Sequence, residues 1–122
     1  METILVTGAN RGLGLEFCRQ YAESGWHVIA TCRNPAEASQ LQALSDRLSG
    51  IQIEKLDTAD FAQIDELKVR LADQTIDVLV NNAGIYPDRS DSGFGQLDYQ
   101  AWREAMTINV MAPVKLAEAL LP

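Results

Sequence analysis

Eight residues near the N-terminus, Thr7-Gly8-Ala9-Asn10-Arg11-Gly12-Leu13-Gly14, constrain the fold more than any other part of this chain. They stand between a short, apolar, β-branched run at residues 3–7 and a stretch in which Leu13, Phe17, Cys18 and Tyr21 recur at helical spacing. A strand that enters a helix through such a loop can cradle a phosphate. Gly8 allows the tight turn, Gly12 lets the backbone approach a pyrophosphate, and Gly14 lets the helix pack closely, while the helix N-terminus offers unpaired amides and a positive dipole end. The competing reading is an ordinary glycine-rich turn; the strand and helix on either side favour the phosphate loop.

The remainder of the chain repeats the alternation. Gly25 suits a left-handed helix cap, and residues 26–32 read as a second strand, apolar on both faces as buried parallel strands are. Asn34 and Pro35 open a second helix with Ala38, Leu41, Leu44 and Leu48 on one face; Gly50 closes it, and residues 51–56 form a third strand. Phe61, Ile64, Leu67 and Leu71 mark a third helix, and residues 76–80 a fourth strand. Asn81-Asn82-Ala83-Gly84, a polar loop over residues 85–96 and a last helix from near Asp98 follow. This series predicts one α/β domain over residues 1–122, a Rossmann-type doubly wound parallel sheet of strand order 3-2-1-4. Residues 8–14 and 81–84 then meet at the switch point beyond the carboxyl ends of the strands, where ligands of open α/β sheets bind.

Charge narrows the partners. Ten Lys and Arg against 17 Asp and Glu give a net charge of −7, which repels a nucleic-acid backbone. No stretch approaches the ~20 apolar residues of a membrane span, and Met1 leads into the first strand without a basic flank, so a cytoplasmic protein is expected. Cys18 and Cys32 lack metal-like or redox-like spacing and read as reduced core cysteines. His27 has no ligand partner at suitable spacing and reads as structural. Asp88, Asp91 and Asp98 read as solvated turn residues, and no metal site is expected.

The spacing Thr7-Gly8-x-x-x-Gly12-x-Gly14, taken with Asn81-Asn82-Ala83-Gly84 after the fourth strand, resembles the short-chain dehydrogenase/reductase family over essentially the whole chain. The resemblance implies a nucleotide site built from Gly8, Asn10, Arg11, Gly12, Leu13, Gly14, Asp57, Thr58, Asn81, Asn82, Ala83 and Gly84. Within it Asp57 resembles the family's adenine contact, and Asn109 of Thr107-Ile108-Asn109-Val110 resembles its catalytic asparagine. By their residues alone, Asp57 serves equally as a helix N-cap or turn aspartate, and the two asparagines as a strand-ending turn. Which of Asn81 and Asn82 contacts a cofactor stays open.

Cofactor preference follows from charge. An NAD site places an acid at the end of the second strand to bond the ribose 2′-hydroxyl, whereas this sequence has Thr31-Cys32-Arg33 there. Arg33 can make a charge-assisted contact with a 2′-phosphate, and Arg11 lies in the phosphate loop, so NADP(H) is expected. A basic residue before the second glycine and Cys-Arg after the second strand resemble the carbonyl-reductase branch.

The resemblance implies hydride transfer between nicotinamide and a carbonyl or alcohol substrate, with a serine, a tyrosine and a lysine acting beside the asparagine. None of the tyrosines begins Tyr-x-x-x-Lys: Tyr21 is followed at that spacing by Gly25, Tyr86 by Ser90 and Tyr99 by Arg103. The expectation is therefore the cofactor-binding part of such an enzyme, truncated after the fourth strand and its following helix and inactive by itself, with the fourth strand an exposed, association-prone edge. The alternatives are a free-standing nucleotide-binding or signalling module and a structural protein with a vestigial site. Trp102, Met106, Val110 and Leu116 read as a core stripe on the last helix, with a kink at Pro113; the resemblance implies a homo-oligomer surface there.

Overall fold

The computed structural model describes residues 1–85 and 95–121; Tyr86, Asp88, Asp91 and most of the expected polar loop lie outside the described residues. The chain begins with β1 (Thr3–Val6), α1 (Gly12–Glu23), β2 (His27–Cys32), α2 (Ser39–Arg47) and β3 (Ile51–Lys55). It continues with α3 (Phe61–Arg70), β4 (Val78–Val80), α4 (Tyr99–Met106) and α5 (Ala112–Leu120), the last two joined by a π-helical turn at Thr107–Met111. The strands form one parallel sheet in the order β3-β2-β1-β4, as the crossover rule requires.

Alternation along the strands divides the core in two. Ile4 and Val6 of β1 and Val28 and Ala30 of β2 face Cys18 of α1 and Leu41 and Leu44 of α2. Leu5 and Ile29, pointing the opposite way, pack against Ile64 and Leu67 of α3 and Leu116 of α5. The central strands are thus apolar on both faces because helices cover both. Cys18 and Cys32 are free and buried within the first layer, and burial pushes the Cys18 thiol up to about 12.

Three expectations change in detail. The Asn34-Pro35 pair does not open α2. Pro35–Glu37 form a separate 3₁₀ turn, and Ala38 breaks from helical geometry at ψ 67°, so α2 starts at Ser39 and ends before Leu48. The bend in the last helix lies mainly at the π turn preceding Pro113: the Ala112 amide bonds the Thr107 carbonyl five residues back, and Pro113 stands in the first turn of α5. The core stripe fails at its N-terminal end. Leu116 is buried, but Trp102, Met106 and Val110 are 45%, 54% and 48% exposed. Helical spacing gathers these side chains on one side, yet among the described residues none of α4 is buried.

β3 and β4 end the sheet among the described residues, and β4 is only partly buried. No helix among the described residues is long and apolar enough to cross a membrane. Because Leu5 is wholly buried between β1 and the α3–α5 layer, Leu5→Ala is expected to cost about 3 kcal/mol in urea unfolding. Val69→Ala, on the exposed side of α3, should change stability by less than about 0.5 kcal/mol.

Candidate functional site

The carboxyl ends of β1, β2 and β4 open onto a cleft of about 510 Å³, reached also by the segment after β3. Thr7, the buried residue after β1, directly precedes Gly8 of the cleft lining. The Thr7 hydroxyl accepts hydrogen bonds from the Asn82 amide at 3.0 Å and the Ala83 amide at 2.9 Å. Asn82 completes the stitch, its Nδ2 donating to the Gly8 carbonyl at 3.1 Å. The two segments that the sequence placed at the switch point are therefore bonded directly to each other.

The glycines have distinct tasks. Gly8 and Gly12 adopt φ of 62° and 60°, the left-handed region that L side chains rarely occupy. At Gly8 a Cβ would also stand 2.9 Å from Ala83 Cα, whereas at Gly12 it would meet open space. Gly14 has a different constraint: a methyl there would run into the Gly8 carbonyl and the Asn82 side chain. The loop folds so tightly onto the start of α1 that no side chain fits between them.

α1 begins without a side-chain cap. Its N-cap residue, Arg11, is extended and contributes no capping bond, and no acid occupies the first turn. The first amides and the positive end of the helix dipole are consequently available to an anion at the cleft. Arg11 and Arg33 both line this cleft, and among the described residues neither belongs to an ion pair.

On the far side, Asp57 and Thr58 follow β3 and line the cleft. Asp57 Oδ1 accepts from the Ala59 amide at 3.0 Å, while the Asp57 amide donates to Gln63 Oε1 at 2.8 Å. The turn role and the cleft position thus coexist in one residue. Asn81 and Asn82 separate cleanly: Asn82 lines the cleft and holds the loop, and Asn81 is exposed and does not line it. Of the other expected residues, Gly8, Asn10, Gly12, Ala83 and Gly84 line the cleft, whereas Leu13 and Gly14 do not.

Asn109 reaches the site through Ile85. Its Oδ1 accepts from the Ile85 amide and its Nδ2 donates to the Ile85 carbonyl, both at 2.8 Å. Both ends of the side-chain amide are engaged, so Asn109 acts here as a backbone clamp at the centre of the π turn. Ile85 and Ile108 both line the cleft.

Several lining residues were not expected at the site: Cys32, Asn34, Glu37, Ala38, Leu56, Ile85 and Ile108. In the sequence Thr7 stands only as part of the motif, and a threonine directly before the first glycine is the available signal. Burial raises the pKa of the Cys32 thiol, which faces the cleft from the end of β2. Among the described residues no group of three or more His, Cys, Asp or Glu could hold a metal ion. His27 instead pairs with Gln52 at 3.0 Å. Chemically, the cleft combines an uncapped helix end and two arginines with two carboxylates, Asp57 and Glu37, and the Thr58 hydroxyl, a set suited to a phosphorylated nucleoside.

This architecture, a phosphate loop at the switch point of a parallel sheet, defines a nucleotide-binding class of α/β protein. The sequence profile described as short chain dehydrogenase matches residues 2–122. The chain is 34% identical to (+)-neomenthol dehydrogenase of Arabidopsis thaliana, over 97% of its own length and 47% of the relative's. It is also 34% identical to the NADP-dependent 3-hydroxy acid dehydrogenase of Salmonella typhi, over 98% and 47% of the two chains. Among solved structures, NADPH-bound carbonyl reductase from chicken fatty liver superposes with a TM-score of 0.86 at 33% identity, covering all of this chain and 51% of that one. The chain belongs to the short-chain dehydrogenase/reductase family of oxidoreductases, and it spans about half the length of these relatives.

Thr7→Val keeps the shape of the side chain but removes the acceptor for two amides. It is expected to destabilise the fold by about 1–3 kcal/mol in denaturant unfolding, whereas Thr7→Ser should retain most of the stability. Equal losses in the two variants would show that the hydroxyl is not what joins β1 to β4.

Proposed function

We propose that this chain is the NADP(H)-binding part, one domain over residues 1–122, of an oxidoreductase that moves a hydride between nicotinamide and a carbonyl or alcohol carbon. The observation that carries the proposal is the pairing of an uncapped α1 N-terminus with Arg11 and Arg33, neither held in an ion pair among the described residues. The same cleft fits the cofactor in shape. Gly8 and Gly14 remove the Cβ atoms that would disrupt the cradle, and Gly12 presents bare backbone.

In this reading the Gly12 backbone and the first α1 amides hold the pyrophosphate, with Asn10 beside them. Arg33 and Arg11 receive the 2′-phosphate, and Asp57 and Thr58 meet the adenine. Asn82, Ala83 and Gly84 line the path toward the nicotinamide end, and Asn109 positions that path through Ile85. The relatives support the cofactor: one is an NADP-dependent dehydrogenase and another was solved with NADPH bound. The bound cofactor supplies the hydride chemistry. The chain's own contribution is to bind and orient it, because no Tyr-x-x-x-Lys stands in the sequence to move a proton.

Titration of the chain with NADPH and NADH at one fixed salt concentration tests this reading. NADPH is expected to bind more tightly, Arg33→Ala to weaken NADPH by about tenfold or more while leaving NADH nearly unchanged, and Gly12→Val to weaken both. Carbonyl turnover by these 122 residues alone is expected to be absent. Equal affinities for both nucleotides, unaltered in Arg33→Ala, would remove the 2′-phosphate assignment.

A further inference from the structure

We infer that Glu37 is a second determinant of nucleotide preference, acting against Arg33, so that this site discriminates only modestly between 2′-phosphorylated and unphosphorylated nucleotides. The inference rests on the proposed nucleotide site and adds a residue that the motifs did not indicate. Glu37 lines the same cleft as Arg11 and Arg33, four residues beyond Arg33 along the chain.

Its place there is fixed by the backbone. Pro35–Glu37 form a 3₁₀ turn in which the Glu37 amide bonds the Asn34 carbonyl at 3.0 Å and the Ala38 amide bonds the Pro35 carbonyl at 3.1 Å. The Gln42 side chain also donates to the Pro35 carbonyl, tying the turn to α2. Ala38, the next residue, is buried in the layer under β2 and anchors the turn from the other end. The proline ring and these bonds leave Glu37 little freedom to swing its backbone away from the cleft.

Among the described residues the Glu37 carboxylate has neither an ion-pair partner nor a hydrogen-bond donor, so its charge is not neutralised locally. A carboxylate in this cleft repels a dianionic 2′-phosphate and can accept a hydrogen bond from a free 2′-hydroxyl, whereas an arginine favours the phosphate. Arg33 and Glu37, both on the wall of this cleft, therefore bias it in opposite directions. Because Glu37 is exposed, its effect is a screened, medium-range one, on the order of a three- to tenfold change in affinity at low salt and smaller as salt rises.

The experiment isolates the adenosine end. Binding of adenosine 2′,5′-bisphosphate and of AMP is measured by calorimetry for the unaltered chain, Glu37→Gln and Arg33→Ala at low and at physiological salt, with circular dichroism to verify folding. Glu37→Gln is expected to tighten the bisphosphate about three- to tenfold at low salt, to leave AMP within about twofold because the amide oxygen still accepts from the 2′-hydroxyl, and to lose most of its effect at higher salt. A Glu37→Gln chain that changes both probes by one factor, or neither, overturns the inference. If Arg33→Ala in that series still selectively loses the bisphosphate, the nucleotide site itself stands. Failure of the unaltered chain to bind either probe overturns both readings.

Discussion

The Thr7 hydroxyl accepts from the amides of Asn82 and Ala83 at the point where β1 and β4 deliver their chains to the same cleft, and Asn82 returns a bond to Gly8. Two of the segments that line the cleft, the glycine loop and the turn after β4, meet at this junction. The glycine loop turns at Gly8, α1 follows it, and only glycine fits at position 14 because the helix start lies against the Gly8 carbonyl. β4 contributes just three residues of ladder, so the side-chain stitch beyond it helps to hold its end in register with β1. A polar cluster that joins two segments 75 residues apart in sequence ties the formation of the glycine loop to the formation of the sheet.

Sheet order and the two-sided core were legible because β1 and β2 are apolar on both faces and because parallel strands linked by helices allow few topologies. The cleft was legible for a related reason: strand order reverses at β1, and the glycine spacing marks which turn faces the ligand. Local geometry was less visible. Asn34-Pro35 carries a helix-opening signal, but the chain spends that signal on one 3₁₀ turn before α2, and this displacement brings Glu37 to the cleft. Asn81 and Asn82 are identical in type, so only the backbone's alternating direction at the strand end separates them.

The apolar spacing of Trp102, Met106 and Val110 shows a different limit. Periodicity states which side chains share a side of a helix and carries no information about what lies against that side. For Asn109 the residue type and motif indicated a functional asparagine, while the structure shows its side-chain amide holding both backbone groups of Ile85. A two-bond clamp of this kind orients a neighbouring segment. The π turn makes it workable by shifting the helical pairing by one residue where Asn109 reaches across.

Gly12 and Gly14, two residues apart, are glycines for unrelated reasons. Nothing crowds Gly12; what excludes ordinary residues is handedness, through a φ of 60°. At Gly14 one methyl already meets the carbonyl of the preceding turn. Sequence drift should accordingly be graded at the first position, with asparagine and aspartate the least strained replacements, and all-or-none at the second, where even alanine obliges the turn and the helix to part.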